Sequence, residues 1–121
     1  EWFQYGFMQP DDMVKFCSHF GLNMTFDLCH AALHCNHCHN SLTDYASLVA
    51  PIVRHMHISD AIGINGEGVP VGEGTIDFES VFETLGHRDF SWVTEIWSGH
   101  VNNGKKTRES MHSLSKFIPH L

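Results

Sequence analysis

The fold is decided by a stretch in the middle of the chain, residues 54–78, which reads RHMHISDAIGINGEGVPVGEGTIDF. It begins within an apolar, β-branched run at residues 52–58 that predicts a β-strand carrying His57 near its end. Asp60 then opens a segment rich in glycine, which predicts a long loop, and residues 75–78 lead into a helical pattern. Such a loop between a strand and a helix is how an α/β enzyme presents polar groups at the carboxyl edge of its sheet. The functional groups are therefore expected at that edge.

Length and composition predict one ordered domain. The chain has 121 residues, and its 42% apolar and 17% charged content is in the globular range. The formal net charge is -7 and the longest basic run is Lys105-Lys106, which argues against nucleic acid as the main partner. No apolar run approaches the roughly 18–20 residues that a membrane span needs, so no membrane partner is expected.

The four cysteines favour a reduced, cytoplasmic protein over a disulfide scaffold, because they lie among histidines and no signal peptide precedes them. Residues 34–39 read HCNHCH. A Cys-x-x-Cys pair flanked by histidines can hold zinc in a tetrahedral site, which here would need Cys29 and His30 to complete it. The alternative interpretation is a polar loop that lines the mouth of the functional site.

The remaining hydrophobic pattern alternates helices with strands. Pro10 followed by two aspartates predicts a helix start and Gly21 its end, while Asp77 is expected to cap a later helix. The predicted helices are 10–20, 43–51 (capped by Ser41 or Thr43), Phe78–Leu85 and 107–118, the predicted strands are 22–28, 52–58 and 90–96, and 31–40 is predicted to be a loop. This alternation predicts a parallel sheet with crossover helices.

Each predicted strand ends in a candidate metal ligand: Asp27, then His57 and then Glu95. A βα unit takes roughly 30 residues, so these positions fit successive units, the later one enlarged by the glycine-rich insertion. Two carboxylates and an imidazole suit Mn²⁺, Mg²⁺, Co²⁺ or Zn²⁺, and such an ion can polarise a carbonyl for proton transfer at the neighbouring carbon. The alternative is that each is an ordinary polar residue at a strand end.

Three motifs resemble the last three βα units of the xylose-isomerase-like TIM barrels. They are FDLCHAA around Asp27, HMHISDAIG with the following GEG and IDF around His57, and VTEIWSGH around Glu95. Their order agrees with that superfamily over nearly the whole chain. The resemblance implies an α/β fold, the C-terminal half of a (β/α)8 barrel, with residues 1–121 forming a partial barrel domain of three to four βα units.

The resemblance also implies roles for individual residues. Asp27, His57 and Glu95 match the metal ligands, Glu95 is in addition the candidate proton-transfer group, and His30 matches a position that contacts substrate. The family has a further glutamate on the preceding strand, for which Glu1 is the candidate here. Residues assigned to substrate contact or to support of the ligands are Asp60, Glu67, Trp97 and His100. Two further expectations are a phosphate contact or a solvated patch at Lys105, Lys106 and Arg108, and a core position for Trp92.

The superfamily contains sugar isomerases and epimerases, and also metal-dependent endonucleases that act at abasic DNA. The loop sequences are closer to the isomerase and epimerase type, which implies metal-dependent proton transfer at a carbon next to a carbonyl of a sugar or sugar phosphate. The alternatives are an endonuclease-like phosphodiesterase and a non-catalytic metal-binding or assembly domain. A full barrel needs about 250 residues, so we expect either a missing N-terminal half-barrel or a homo-oligomer as the partner.

Overall fold

The structure, a computed structural model, describes residues 8–86 and 89–118. Helices and strands alternate along most of the chain. In order, the elements are α1 (Pro10–Phe20), β1 (Met24–Asp27), α2 (Leu28–Cys38), α3 (Leu42–Val49), β2 (Val53–Ile58), β3 (Asp60–Ile62), β4 (Gly66–Val69), α4 (Phe78–Leu85), β5 (Ser91–Thr94) and α5 (Val101–Leu114). None of the helices in these ranges is long and apolar enough to cross a membrane.

Three strands form a parallel sheet in the order β1-β2-β5, as the alternating pattern predicts. Asp27 pairs in register with His57, and His57 pairs with Val93, so these residues share one level of the sheet. Glu95 follows β5, and its backbone N–H donates to the carbonyl of Ile58 at 3.0 Å. The carboxyl ends of all three strands therefore lie together, which brings the candidate ligands to one edge.

The core lies between the sheet and the helices that follow its strands. Phe26, Met56 and Ile58 from the sheet are fully buried, and they pack in one cluster with Leu85 and Leu114 from the helices. Burial of each such side chain contributes about 1.5–3 kcal/mol. Trp92 packs against the same cluster, as predicted, and is partly buried. This packing holds the strands in place relative to the helices, and the candidate site lies at the carboxyl ends of those strands.

Local capping explains where most helices begin and end. Gly21 ends α1 in the left-handed region with φ 65°, which glycine adopts without the strain of a side chain. Ser41 caps α3 by accepting a hydrogen bond from the N–H of Asp44, and Asp77 caps α4 by accepting one from the N–H of Ser80. The predictions of α1 and α4, of the cap at Ser41 and of Gly86 as the end of α4 are confirmed.

The predicted loop at residues 31–40 is wrong over most of its length, because residues 31–38 belong to α2. Asp27 caps the helix by accepting from the N–H of His30 at 3.0 Å, and His39 ends it in the left-handed region. The sequence AAL at 31–33 favours a helix and is buried, and this outweighs the histidines and asparagine that suggested a loop. The predicted order thus lacked one helix.

The glycine-rich segment is not a loop throughout, because it contains an antiparallel hairpin of β3 and β4. Asp60 pairs with Val69 and Ile62 with Gly66 across the hairpin. Gly63 in the turn has φ 61°, a backbone conformation that residues other than glycine rarely adopt. The side chain of Asn36 on α2 donates to the carbonyl of Gly63 at 2.7 Å, which fastens the hairpin to that helix.

The last helix also differs from its prediction at 107–118. α5 spans Val101–Leu114, and its first turn is interrupted by left-handed residues at Asn102, Asn103 and Gly104. Asparagine and glycine tolerate this conformation better than other residues, which explains the break. The regular part of the helix begins only after Gly104 and ends at Leu114, where the last buried apolar residue meets the core.

Candidate metal centre

Three side chains converge at the carboxyl edge of the sheet. Asp27 ends β1, His57 lies one residue before the end of β2, and Glu95 follows β5. One ligand atom from each of them lies within 4.8 Å of the other two. The Nδ1 atom of His57 is 3.2 Å from a carboxylate oxygen of Glu95 and 3.8 Å from one of Asp27. The sheet register therefore gathers two carboxylates and an imidazole at one point.

His30 links this edge to the hairpin. It lies in the first turn of α2, where its Nδ1 atom is 2.7 Å from Oδ2 of Asp27 and its Nε2 atom is 3.0 Å from Oε2 of Glu67. The hydrogen bond with Asp27 is the main cause that raises the pKa of His30 to about 9, with a smaller contribution from Glu67. Burial favours the neutral form of Asp27, but its bonds with the His30 side chain and backbone lower the pKa of that carboxyl overall.

Asp60 is buried and organises the segment that follows it. Its carboxylate accepts backbone hydrogen bonds from Ala61 at 2.9 Å and from Gly72, Gly74 and Ile76 at 3.0 Å each. A side chain at position 74 would collide with this carboxylate, since a Cβ atom there would lie 2.3 Å from Oδ1. Asp60 thus holds both ends of the insertion together, and it is not among the described residues that line the site.

Trp97 forms one wall of the site, as predicted. Its indole ring packs where a side chain at Gly68 would stand, 2.1 Å from the position of a Cβ atom. Its backbone N–H donates to the carbonyl of Gly68 at 2.9 Å. The ring is 66% exposed, so one side of it faces the open mouth of the site.

A cleft of ≈ 320 Å³ opens beside these groups. It has both polar and apolar walls, contributed by the ends of the strands, the hairpin and the first turn of α2. The lining residues are Asp27, Cys29, His30, Ser59, Glu67, Gly68, Glu95, Ile96 and Trp97. A volume of this kind suits a small polar molecule better than a polymer.

The comparison with known families agrees with this architecture. A sequence model of the family described as "xylose isomerase-like TIM barrel" matches residues 1–117. The chain belongs to this family. No curated protein matches the chain. The xylose isomerase-like TIM barrel family includes sugar isomerases and epimerases as well as abasic-site endonucleases, and its members often bind divalent metal ions.

The donor set of this family member fits a divalent cation. Asp27 and Glu95 offer carboxylate oxygens and His57 offers an imidazole nitrogen, all within the mutual distances that a shared ion allows. The side chain of His30 contacts Oδ2 of Asp27, the oxygen that also lies nearest His57, while the backbone N–H of His30 donates to Oδ1, so His30 orients that carboxylate from both of its oxygens. Among the described residues, this is the only group of three such side chains close enough to share an ion.

The HCNHCH segment does not form a second centre of this kind within the described part of the chain. Cys35 and His34 are buried in α2, and the sulfur of Cys38 approaches the His34 ring at 3.8 Å. Because the segment is helical, its side chains point in different directions around the axis, and they do not bring three ligand atoms together. The zinc interpretation of Cys35 and Cys38 is therefore not supported.

Other predicted residues lie apart from the cleft. His100 is exposed at the start of α5, and it is not among the described residues that line the cleft. Lys105 pairs with Glu109 at 3.8 Å on α5, and Arg108 donates to the carbonyl of Asn103. These contacts agree with the solvated-patch interpretation. Glu1, the candidate fourth ligand, lies outside the described residues.

Four further residues line the cleft that were not predicted from the sequence, namely Cys29, Ser59, Gly68 and Ile96. The thiol of Cys29 donates to the carbonyl of Asp60 at 3.4 Å, and burial raises its pKa. Cys29 and Ser59 each lie between two predicted site residues in the sequence, which is a signal that could have identified them. Gly68 carries no such signal, since its place under Trp97 depends on the hairpin.

Proposed function

We propose that the protein is a metal-dependent isomerase or epimerase of a sugar or sugar derivative, with Asp27, His57 and Glu95 as the metal ligands. The observation that carries the proposal is their convergence within 4.8 Å at the ends of three adjacent parallel strands. In a TIM barrel the chemistry takes place at this edge. A divalent ion bound there would supply polarisation of the substrate carbonyl and hold a neighbouring hydroxyl oxygen.

Glu95 is the proton-transfer group in this proposal. Its side chain is 50% exposed, against 27% for Asp27 and 33% for His57, and it lines the cleft. Its carboxylate takes the proton from the carbon next to the carbonyl. An isomerase returns that proton to the neighbouring carbon, whereas an epimerase returns a proton to the opposite face of the same carbon and needs a second acid.

His30 orients the substrate from the other side of the cleft. Both of its ring nitrogens lie at hydrogen-bonding distance from carboxylates, which fixes the plane of the ring. With its pKa raised to about 9, the ring carries a positive charge at neutral pH in the metal-free protein. Because both N–H groups are engaged by Asp27 and Glu67, His30 acts on the substrate through its positive charge, which stabilises negative charge that develops on a substrate oxygen, and not by donating a hydrogen bond.

The acidic cleft supports a small sugar over a nucleic acid as substrate. Three of its lining residues are Asp27, Glu67 and Glu95, and the chain carries a formal charge of -7. Binding of a phosphodiester backbone depends on clustered lysine and arginine, and none of the described lining residues is of either type. This arrangement does not favour the endonuclease alternative.

The test is a turnover assay on a panel of aldoses and ketoses, with the protein stripped by chelation and then reloaded with Mn²⁺, Mg²⁺, Co²⁺ or Zn²⁺. We expect turnover that requires the metal and that His57→Ala abolishes. The matched control is His112→Ala, because His112 is exposed on α5 and does not line the cleft, whereas the ring of His55 packs directly against that of His57. Turnover that survives in His57→Ala would refute the proposal, as would cleavage of an abasic oligonucleotide without any sugar turnover.

A further inference from the structure

Glu67 reaches the site only through the hairpin. It lies on β4, 37 residues beyond His30 in the sequence, and its Oε2 atom is 3.0 Å from Nε2 of that histidine. Both side chains line the cleft, and each is partly exposed, at 31% for Glu67 and 40% for His30. A carboxylate in this position faces any molecule that the cleft holds.

The hairpin that carries Glu67 is fixed from three sides. Asp60 accepts four backbone N–H groups from the two ends of the insertion, Asn36 donates to the turn at Gly63, and Trp97 packs on Gly68. The Asn36 contact joins the hairpin to α2, the Trp97 contact joins it to the segment after β5, and the Asp60 bonds join its first strand to the segment that precedes α4. The carboxylate of Glu67 is therefore held at a defined place, unlike a side chain on a free loop.

The negative charge of the cleft limits the class of substrate that can bind next to Glu67. Glu67 stands with Asp27 and Glu95 around one cavity, and the side chain of His30 bridges Asp27 and Glu67. Hydroxyl groups of a sugar can donate hydrogen bonds to carboxylates, whereas a phosphate is repelled by them and offers no donor when ionised. The basic residues Lys105 and Arg108 do not line the cleft, and their side chains contact other groups of α5.

We propose that Glu67 is a substrate-contacting residue that accepts sugar hydroxyl groups and selects unphosphorylated sugars over their phosphate esters, and that Asp60 is the positioning residue that sets it in place. This inference rests on the proposed sugar isomerase or epimerase function and adds the substrate class to it. Glu67 contributes a negative charge and two acceptor oxygens, and Asp60 acts on the substrate only through the hairpin.

The test compares kcat and KM of the Mn²⁺-loaded protein for matched pairs, each a ketose and its terminal phosphate ester, in the fructose, xylulose and ribulose series. We expect kcat/KM to favour the unphosphorylated member, and Glu67→Gln to reduce that preference about tenfold, mainly through KM, because one repelling charge is lost. Glu73→Gln is the matched control, since Glu73 lies on the same insertion, is exposed and does not line the cleft.

Asp60→Asn separates the positioning role from a purely structural one. The NH2 group of an asparagine cannot accept hydrogen bonds, so some of the four backbone N–H groups would lose their acceptor and the hairpin would shift. The variant should therefore show the same reduced preference for unphosphorylated sugars as Glu67→Gln while it still binds Mn²⁺. Hydrogen exchange on the parent supplies a readout that does not depend on this variant: the amides of Gly72, Gly74 and Ile76 should be protected, and rapid exchange there would contradict the anchoring by Asp60.

The outcomes separate the two levels of the argument. A parent that prefers phosphate esters, or a preference that changes equally in Glu67→Gln and Glu73→Gln, overturns this inference and leaves the sugar function standing. An Asp60→Asn variant with the parent's preference overturns the positioning role. A parent that turns over no aldose or ketose of the full panel, phosphorylated or not, refutes the proposed function itself, and this inference with it.

Discussion

The Nε2 atom of His30 lies 3.0 Å from Oε2 of Glu67, although 37 residues separate them in the chain. This contact joins α2 to the hairpin, two elements that come from different βα units. On its other nitrogen, His30 is 2.7 Å from Asp27, a candidate metal ligand. Through His30, the candidate metal centre and the glycine-rich insertion are therefore in direct contact.

Removal of the Asp60 side chain should destabilise the protein strongly. Asp60→Ala leaves the N–H groups of Ala61, Gly72, Gly74 and Ile76 without their acceptor. An unsatisfied buried donor costs about 1–3 kcal/mol, so we expect a loss of at least about 3 kcal/mol in the free energy of unfolding, measured with urea. Glu73→Ala, an exposed acidic residue of the same segment, should change it by less than about 0.5 kcal/mol. An equal effect of the two substitutions would contradict the anchoring role of Asp60.

Gly68 and Trp97 should be energetically coupled. Gly68 has φ 66°, and a Cβ atom there would lie 2.1 Å from the Trp97 ring. Gly68→Ala should therefore cost about 1–2 kcal/mol for the backbone conformation and a further amount for displacement of the ring. In a Trp97→Ala background only the backbone cost should remain. A double-mutant cycle on unfolding free energies measures the difference, expected at about 1 kcal/mol or more, and additive effects would show that the ring does not occupy this position.

Cys35 should make the free energy of unfolding fall as pH rises in the alkaline range. Burial is the main cause that raises the pKa of its thiol from 9.0 to about 11. Between these values the unfolded chain loses the proton and the folded protein keeps it, so stability falls as pH rises. The free energy of unfolding should drop by about 1 kcal/mol more between pH 8 and pH 10 in the parent than in Cys35→Ala. Parallel pH profiles of the two proteins would refute the assignment.

Cys38, which is less buried, should react with iodoacetamide before Cys35 does.

The sequence predicted the sheet and the convergence of the three candidate ligands because both follow from local signals. The ends of strands follow from apolar runs, and the carboxyl ends of parallel strands lie at the same edge of a sheet. The sequence alone therefore predicts that Asp27, His57 and Glu95 lie close together. The caps at Ser41 and Asp77 are equally local. The parallel sheet and the family are borne out, while the roles assigned to individual residues stay predictions.

The missed features depend on contacts distant in sequence. The histidines, cysteines and asparagine of residues 31–40 are typical of a loop, whereas the burial of Ala31, Ala32 and Leu33 that favours a helix follows from tertiary packing. The β3–β4 hairpin has few β-branched residues, and it is held by Asp60 and by Asn36 from elsewhere in the chain. The approach of Glu67 to His30 follows from both, so no spacing rule along the chain could predict it.

The most direct test of the candidate metal centre is the metal content of the purified protein, measured by inductively coupled plasma mass spectrometry on the parent, His57→Ala and His112→Ala. We expect about one divalent ion per chain in the parent and in His112→Ala, and its loss from His57→Ala, because His57 supplies one of three converging ligands. An ion that His57→Ala retains in full would contradict the account, since it would then be bound somewhere other than the edge where Asp27, His57 and Glu95 meet.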